Sequence, residues 1–203
     1  MAAKMVDGYP NQWRDWSQAN TDKRVKSSKG LNRFAATYRA ARLFHGIHSE
    51  PASVGGEWER GFSALLKVFL AYTAADSLAR GLPGHYRENL RGFEINNETL
   101  AKRIRENNEL LKLLIDEITS NELILNLNSF VSGQSSDVFY VASAIRHLVA
   151  HGTITVGGAK VRSKEKAEAL LKLADAVLEC SNRKFCEFCS TRLHVSSTSA
   201  VKR

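Results

Sequence analysis

The stretch EWERGFSALLKVFLAYTAADSLAR, residues 57–80, decides the fold class. Trp58, Phe62, Leu65, Phe69 and Tyr72 recur at i, i+4, i+7, i+11 and i+14, which is one face of an α-helix, and Leu66 and Leu70 widen that face. Lys67 interrupts the apolar run ALLKVFLAYTAA, which is also too short to span a bilayer. Proline occurs only at Pro10, Pro51 and Pro83, so 120 residues follow the last one without a break, and helix is the natural reading of that span.

Downstream, GLPGHYRENLRGFEIN at 81–96 reads as a basic loop, after which Asn97 caps a helix lined by Leu100, Ile104, Leu111, Leu114, Ile115 and Ile118. Thr119 and Glu122 form a capping-box pattern that opens a shorter helix through Leu123, Leu127, Phe130 and Val131, ended by SGQSS. From Asp137, the residues Val138, Val141, Ile145, Leu148 and Val149 again fall at helical spacing and stop near Gly152. TITVGGAKV, 153–161, alternates around Gly157-Gly158 and is compatible with a small β-hairpin. Ser163 caps a last helix that turns Leu170, Leu171, Ala174, Val177 and Leu178 inward. Leu31 to Ile47 is a further helix, preceded by the lysine-rich, loop-like NTDKRVKSSKG.

The fold class expected is therefore all-α: a helical bundle over 51–190, a basic helical extension over 1–50, and a flexible polar tail over 191–203. A chain of 203 residues with 43% hydrophobic content can bury one real core. MAAKMVDGYP lacks the apolar core of a signal peptide, so a soluble, cytoplasmic protein without membrane attachment is expected. Three cysteines near the C-terminus do not make a disulfide framework, and reduced thiols follow. No Walker loop or Rossmann fingerprint is present.

The net charge of +8 is unevenly placed: residues 1–48 hold nine Lys/Arg against three Asp. Such an end attracts a polyanion, since each neutralised phosphate releases condensed counterions; a solvated surface has the same composition. For RNA the candidates are Lys23, Arg24, Lys26, Lys29, Arg39 and Arg42, joined by Arg87 and Arg91, which are mixed with His85, Tyr86 and Phe93 in the manner of single-strand binders.

SAIRHLVAHGTITVGG, 143–158, carries the candidate chemistry. At about 100° per residue, Tyr140, Ala144, His147 and His151 face away from the apolar side, and Arg146 sits at the flank. Cleaving RNA without a metal needs a base for the 2′-hydroxyl proton, which a neutral imidazole supplies, and a cation for the charged phosphorane, which a guanidinium supplies. Bare Arg-x4-His spacing also fits an ordinary surface pair.

The string IRHLVAHG, Ile145 to Gly152, at the end of a long bundle helix resembles the signature of the HEPN (higher eukaryotes and prokaryotes nucleotide-binding) family. The resemblance covers residues 57–180 in architecture and Arg146 to Gly152 in motif. It implies a four-helix bundle, a homodimer with a composite active site, and no cofactor. The implied activity is that of a metal-independent endoribonuclease acting on RNA in a defence, stress or toxin system, with a regulatory or antitoxin protein as a further partner. Other members are non-catalytic modules that bind RNA, a nucleotide or a protein. Carried over, Arg146 and His151 are the catalytic pair and His147 supports them. The dimer would bring two stripes of Tyr140, Ala144, His147 and His151 face to face, with Ala144 permitting close approach.

Asp76 continues the 58–72 stripe by one more i+4 step, so a carboxylate stands where an apolar residue is expected. Arg146 is the partner expected for it, with water at a frayed helix end as the alternative. Finally, Cys180, Cys186, Cys189 and His194 form C-x5-C-x2-C-x4-H, enough ligands for zinc but at irregular spacing that equally fits a helix end with partly buried thiols.

Overall fold

Small residues, more than the aromatic stripe, make the buried face of segment 57–80. The computed structural model describes residues 7–19, 28–47, 56–154 and 160–199, the side chains of 19, 28 and 193–199 excepted. Among the described residues the order is α1 (Trp13–Ala19), α2 (Ser28–Leu43), α3 (Gly56–Gly81), α4 (Tyr86–Arg91), α5 (Glu98–Arg105), α6 (Asn108–Glu117), α7 (Asn121–Val131), α8 (Phe139–Ala150) and α9 (Lys164–Ser199). The protein is an all-α helical bundle.

Helix α3 is the central element, packed by α2, α8 and α9 on different sides. Gly61, Ala64, Val68, Ala71, Ala75 and Leu78 are buried, whereas Trp58, Phe62 and Phe69 of the expected stripe are only half-buried. A helix covered on several sides does not bury one stripe, and short side chains allow the neighbours to come close. At Gly61 the approach is closest: an added Cβ would lie 1.9 Å from the Val161 carbonyl oxygen, so only glycine fits. The 26-residue α3 is long and apolar enough to cross a membrane by length and composition, which corrects the expectation drawn from its shorter apolar run, but 56% of that window is buried within the bundle.

Aromatic contacts bind the N-terminal helices to the bundle. Phe185 of α9 lies 5.9 Å from Trp13, 6.4 Å from Trp16 and 5.3 Å from Phe34, ring centre to ring centre. Within the helical extension expected over 1–50, no helix was placed at α1, since seven residues, about two turns, carry too little periodicity to announce themselves.

The helix expected across 98–118 is two helices. Asn97 caps α5 as expected, accepting from the Leu100 amide at 3.0 Å. Asn107 then leaves helical geometry at φ −92°, ψ 62°, and its buried amide group has no hydrogen-bond partner among the described residues. Asn107 and Asn108 stand where the apolar stripe should continue, and asparagine is a poor residue for a helix interior. The capping box also fails: Ser120, not Thr119, is the N-cap of α7, and it makes no side-chain cap. Segment 81–96, expected as loop, contains α4.

Arg105 holds α5 to the end of α7. Its guanidinium donates to the Phe130 and Ser135 carbonyls, each at 2.8 Å, and pairs with Glu98 at 3.0 Å. The Phe130 carbonyl lies in the last turn of α7, where it also accepts from the Gly133 amide at 3.1 Å and where a cation is favoured by the dipole; the Ser135 carbonyl follows beyond the helix end. Arg105→Ala is expected to cost about 2–3 kcal/mol, since hydrogen bonds to charged groups run about 1.5–3 kcal/mol and the Ser135 carbonyl loses its donor. Urea unfolding measures it; a loss under about 0.5 kcal/mol would mean water replaces the clamp without cost.

Ser163 caps α9, accepting from the Lys166 amide at 3.2 Å. That helix continues to Ser199, past the boundary placed at residue 190. Of the expected hairpin, 155–159 lie outside the described residues; among those described, the only strand-like pairing is an isolated bridge between Asn96 and Asp137.

Candidate active site

Helix α8 ends in a tight C-terminal motif that places the histidines. The Thr153 amide donates to the Leu148 carbonyl at 3.0 Å and the Gly152 amide to the Val149 carbonyl at 3.1 Å, with Gly152 at φ +71°. This is a Schellman arrangement, and the left-handed position requires glycine or a residue of similar tolerance. His151 is the cap residue, and its amide still bonds the His147 carbonyl at 3.1 Å, so the two imidazoles share one face. Their ring centres are 4.5 Å apart, with His151 exposed and His147 half-buried.

Arg146 is half-buried beside them, and its guanidinium has no hydrogen bond or ion pair with a described residue. Burial of the ring, followed by the charges of His151 and Arg146, holds the His147 imidazole below the ordinary value. A lowered folded value means the neutral form is favoured by folding. Its contribution is thus present above the ordinary value of about 6.5 and is lost as pH falls through the folded value. Proton NMR is expected to place the His147 midpoint below about 6.5 and to show it rising in Arg146→Gln; a midpoint at or above that value counts against this electrostatic picture.

Two expectations need correction. Asp76 is not paired with Arg146: Arg80 Nε contacts its carboxylate at 3.0 Å, and the Tyr86 hydroxyl donates a short hydrogen bond to it. Arg80 also lies over the Tyr86 ring at 4.1 Å. Asp76 therefore fastens α4 to α3, and burial together with this bond pushes the Tyr86 phenol up to about 12. An i+4 arginine on the same helix is simply nearer than one on α8. Tyr72 feels the charges of both Asp76 and Arg146 and accepts from the Ser143 hydroxyl at 3.2 Å. Second, Ala144 is 0% exposed, because α8 is enclosed by α3, α6, α7 and α9, so it cannot be a surface point of close approach.

A cleft of about 510 Å³ adjoins this face of α8. Tyr140 and Ser143 open onto it, at i−7 and i−4 from His147, so the cleft and the histidines follow one face of the helix. Arg87 and Arg91 line it from α4, and Glu122 from α7. The buried rings of Phe93, Phe139 and Tyr72 stack in series beneath, at 5.5 and 5.1 Å. Asp137 is set into the same wall, where burial raises its carboxyl group above the ordinary range. The mixture of cations and aromatics at 85–93 was the available sequence signal; nothing in the sequence indicated Asp137 or Tyr140 as its companions.

The other expected RNA-binding residues are scattered. Lys23, Arg24 and Lys26 lie outside the described residues; Lys29, Arg39 and Arg42 are exposed on α2, which meets the bundle through α3, and Arg39 covers the Tyr9 ring at 5.1 Å. The zinc pattern is not assembled among the described residues, which hold no cluster of three His, Cys, Asp or Glu placed for a metal. Cys186 faces the Asn11 carbonyl at 3.7 Å, Cys180 accepts from Arg183 at 3.7 Å, and burial pushes the Cys189 thiol up to about 12. The His194 side chain lies outside the described set.

No protein-family model, curated protein or solved structure matches the chain. The resemblance to the HEPN family therefore rests on residues 145–152 and on helical architecture alone.

Proposed function

We propose that this protein is a HEPN-like, metal-independent endoribonuclease that cuts single-stranded or loop RNA. The observation that carries the reading is the pair of imidazoles 4.5 Å apart at the accessible end of α8, beside a guanidinium that no described residue engages. One imidazole takes the 2′-hydroxyl proton, and the 2′ oxygen bonds to phosphorus while the bond to O5′ breaks. The departing oxygen receives a proton from the second imidazole or from water, leaving 2′,3′-cyclic phosphate and 5′-hydroxyl ends. His151, as the exposed cap residue, takes part in proton transfer. His147 does more than orient it, because a lowered value keeps its ring neutral near pH 7 and able to accept a proton. Arg146 stabilises the phosphorane with paired donors.

The reading includes a homodimer with a composite site, in which His147 and His151 make the contact without Ala144, while Tyr140 opens onto the cleft. It also includes a cytoplasmic setting in defence, stress or a toxin system with a protein regulator. The test is incubation of mixed RNA with the protein and with His151→Ala in excess EDTA, followed by analysis of the ends. Cyclic phosphates from the unaltered protein alone support the enzyme; equal cutting by the variant sinks the site.

A second reading, a module that binds RNA, a nucleotide or a protein without turnover, is favoured by one observation. With Asp76 engaged by Arg80 and Tyr86, no carboxylate among the described residues holds the Arg146 guanidinium in place. Binding without cleavage in the same assay selects it.

A further inference from the structure

The cleft beside α8 has a feature that cleavage chemistry does not use. Asp137 is buried, and a single oxygen, Oδ1, accepts from both the Ile95 amide at 2.9 Å and the Phe139 amide at 3.0 Å. The other oxygen, Oδ2, has no hydrogen bond with a described residue, yet it is not among the side-chain atoms sealed from solvent. A carboxylate in a partly apolar wall, with one oxygen fixed and one open, is an acceptor waiting for a donor. Around it, Tyr140 and Tyr86 are half-buried and line the cleft, with Arg80 over one face of the Tyr86 ring at 4.1 Å, while Phe93 and Phe139 form the floor. Arg87 and Arg91 line the same space. Arg87 has no partner among the described residues, and Arg91 pairs with Glu122 at 3.2 Å, both being 70% or more exposed, a contact weak enough for a phosphate to displace.

Rings for stacking, an open carboxylate oxygen and arginines near it match a nucleotide unit. The carboxylate selects among the bases. Guanine places N1–H and the N2 amino group side by side, two donors toward one acceptor. Adenine and cytosine set an acceptor nitrogen next to their amino group, and uracil flanks its single N–H with two carbonyls, so each brings repulsion to the same oxygen. Asn126 and Ser120 also line the cleft and can serve the acceptor atoms of the base. We propose that this cleft is a guanine subsite for single-stranded RNA, built from Asp137, Tyr86, Tyr140 and the α4 arginines. The proposal names the substrate preference of the ribonuclease read above, with Tyr140 about two helical turns before His147 and about three before His151 on α8.

The test is binding by the full chain, which needs no cleavage. GMP, IMP, AMP, CMP and UMP are titrated by calorimetry, alongside uridine octamers with and without one central guanosine. GMP is expected to bind at least about tenfold tighter than IMP, which lacks the N2 amino group, and the guanosine octamer tighter than the plain one by a similar factor. Asp137→Asn keeps Oδ1 for the two amides but replaces Oδ2 with a donor group, and is expected to abolish the preference for guanine. Tyr140→Ala is expected to weaken all bases alike, which keeps the idea testable if the Asp137 variant does not fold. Equal affinity for all five nucleotides, or an unchanged preference in folded Asp137→Asn, overturns the proposal. GMP binding without discrimination between the octamers overturns the RNA assignment in favour of a free nucleotide. Guanine selectivity with no RNA cleavage leaves this subsite standing and removes the nuclease reading, so the two failures are told apart.

Discussion

His151→Ala is expected to lower EDTA-resistant RNA cleavage by about 10²–10⁴-fold, the range of a positioned acid or base. The variant should cost almost nothing in stability, because His151 is exposed, caps α8 with its backbone, and leaves the turn to Gly152. That separation makes the experiment decisive: a Tm within a degree or two and a collapsed rate point to chemistry. Arg146→Ala is expected to cost about 10²–10³-fold, by analogy with losing one donor to a developing anion, and Arg146→Lys to recover only part of that. His147→Ala differs in a second way. Since its imidazole is held below the ordinary value, the acid limb of the rate profile should lie below about pH 6.5 in the unaltered protein and move when His147 is replaced. An acid limb unmoved by either histidine substitution would falsify the assignment.

Phe185→Ala is expected to destabilise the fold by about 3–5 kcal/mol. The ring is fully buried on α9 and meets Trp13 and Trp16 of α1 and Phe34 of α2, so its loss leaves a cavity bounded by three helices that cannot all close on it. Against the roughly 5–15 kcal/mol of a whole domain, this is a large fraction. Denaturant unfolding gives the size, and a red shift of tryptophan emission before the main transition would show α1 parting first. Phe185→Leu should lose less, since more of the volume is kept. If Phe185→Ala costs under about 1 kcal/mol, the N-terminal helices are held by something other than this cluster.

Neither expectation could be drawn in full from the sequence. The motif, the helical class and the ends of several helices were legible because they are local: an apolar period, an asparagine at 97, a serine at 163 and a glycine at 152 act on backbone groups a few residues away. Stripe reading went astray at α3, where burial on several sides hides any single face, and at Asn107, where two asparagines interrupt a period that the apolar residues alone would continue.

What the sequence by itself determined is an all-α chain with an arginine and two histidines at the end of one helix. Tertiary structure alone decided which groups those residues meet. Asp76 takes Arg80 and Tyr86, Ser143 reaches Tyr72 from 71 residues away, and Asp137 reaches Ile95 from 42. Helical periodicity sets the direction of a side chain about its own axis, but the neighbour across the gap is set by how several helices pack at once, and close packing admits few arrangements.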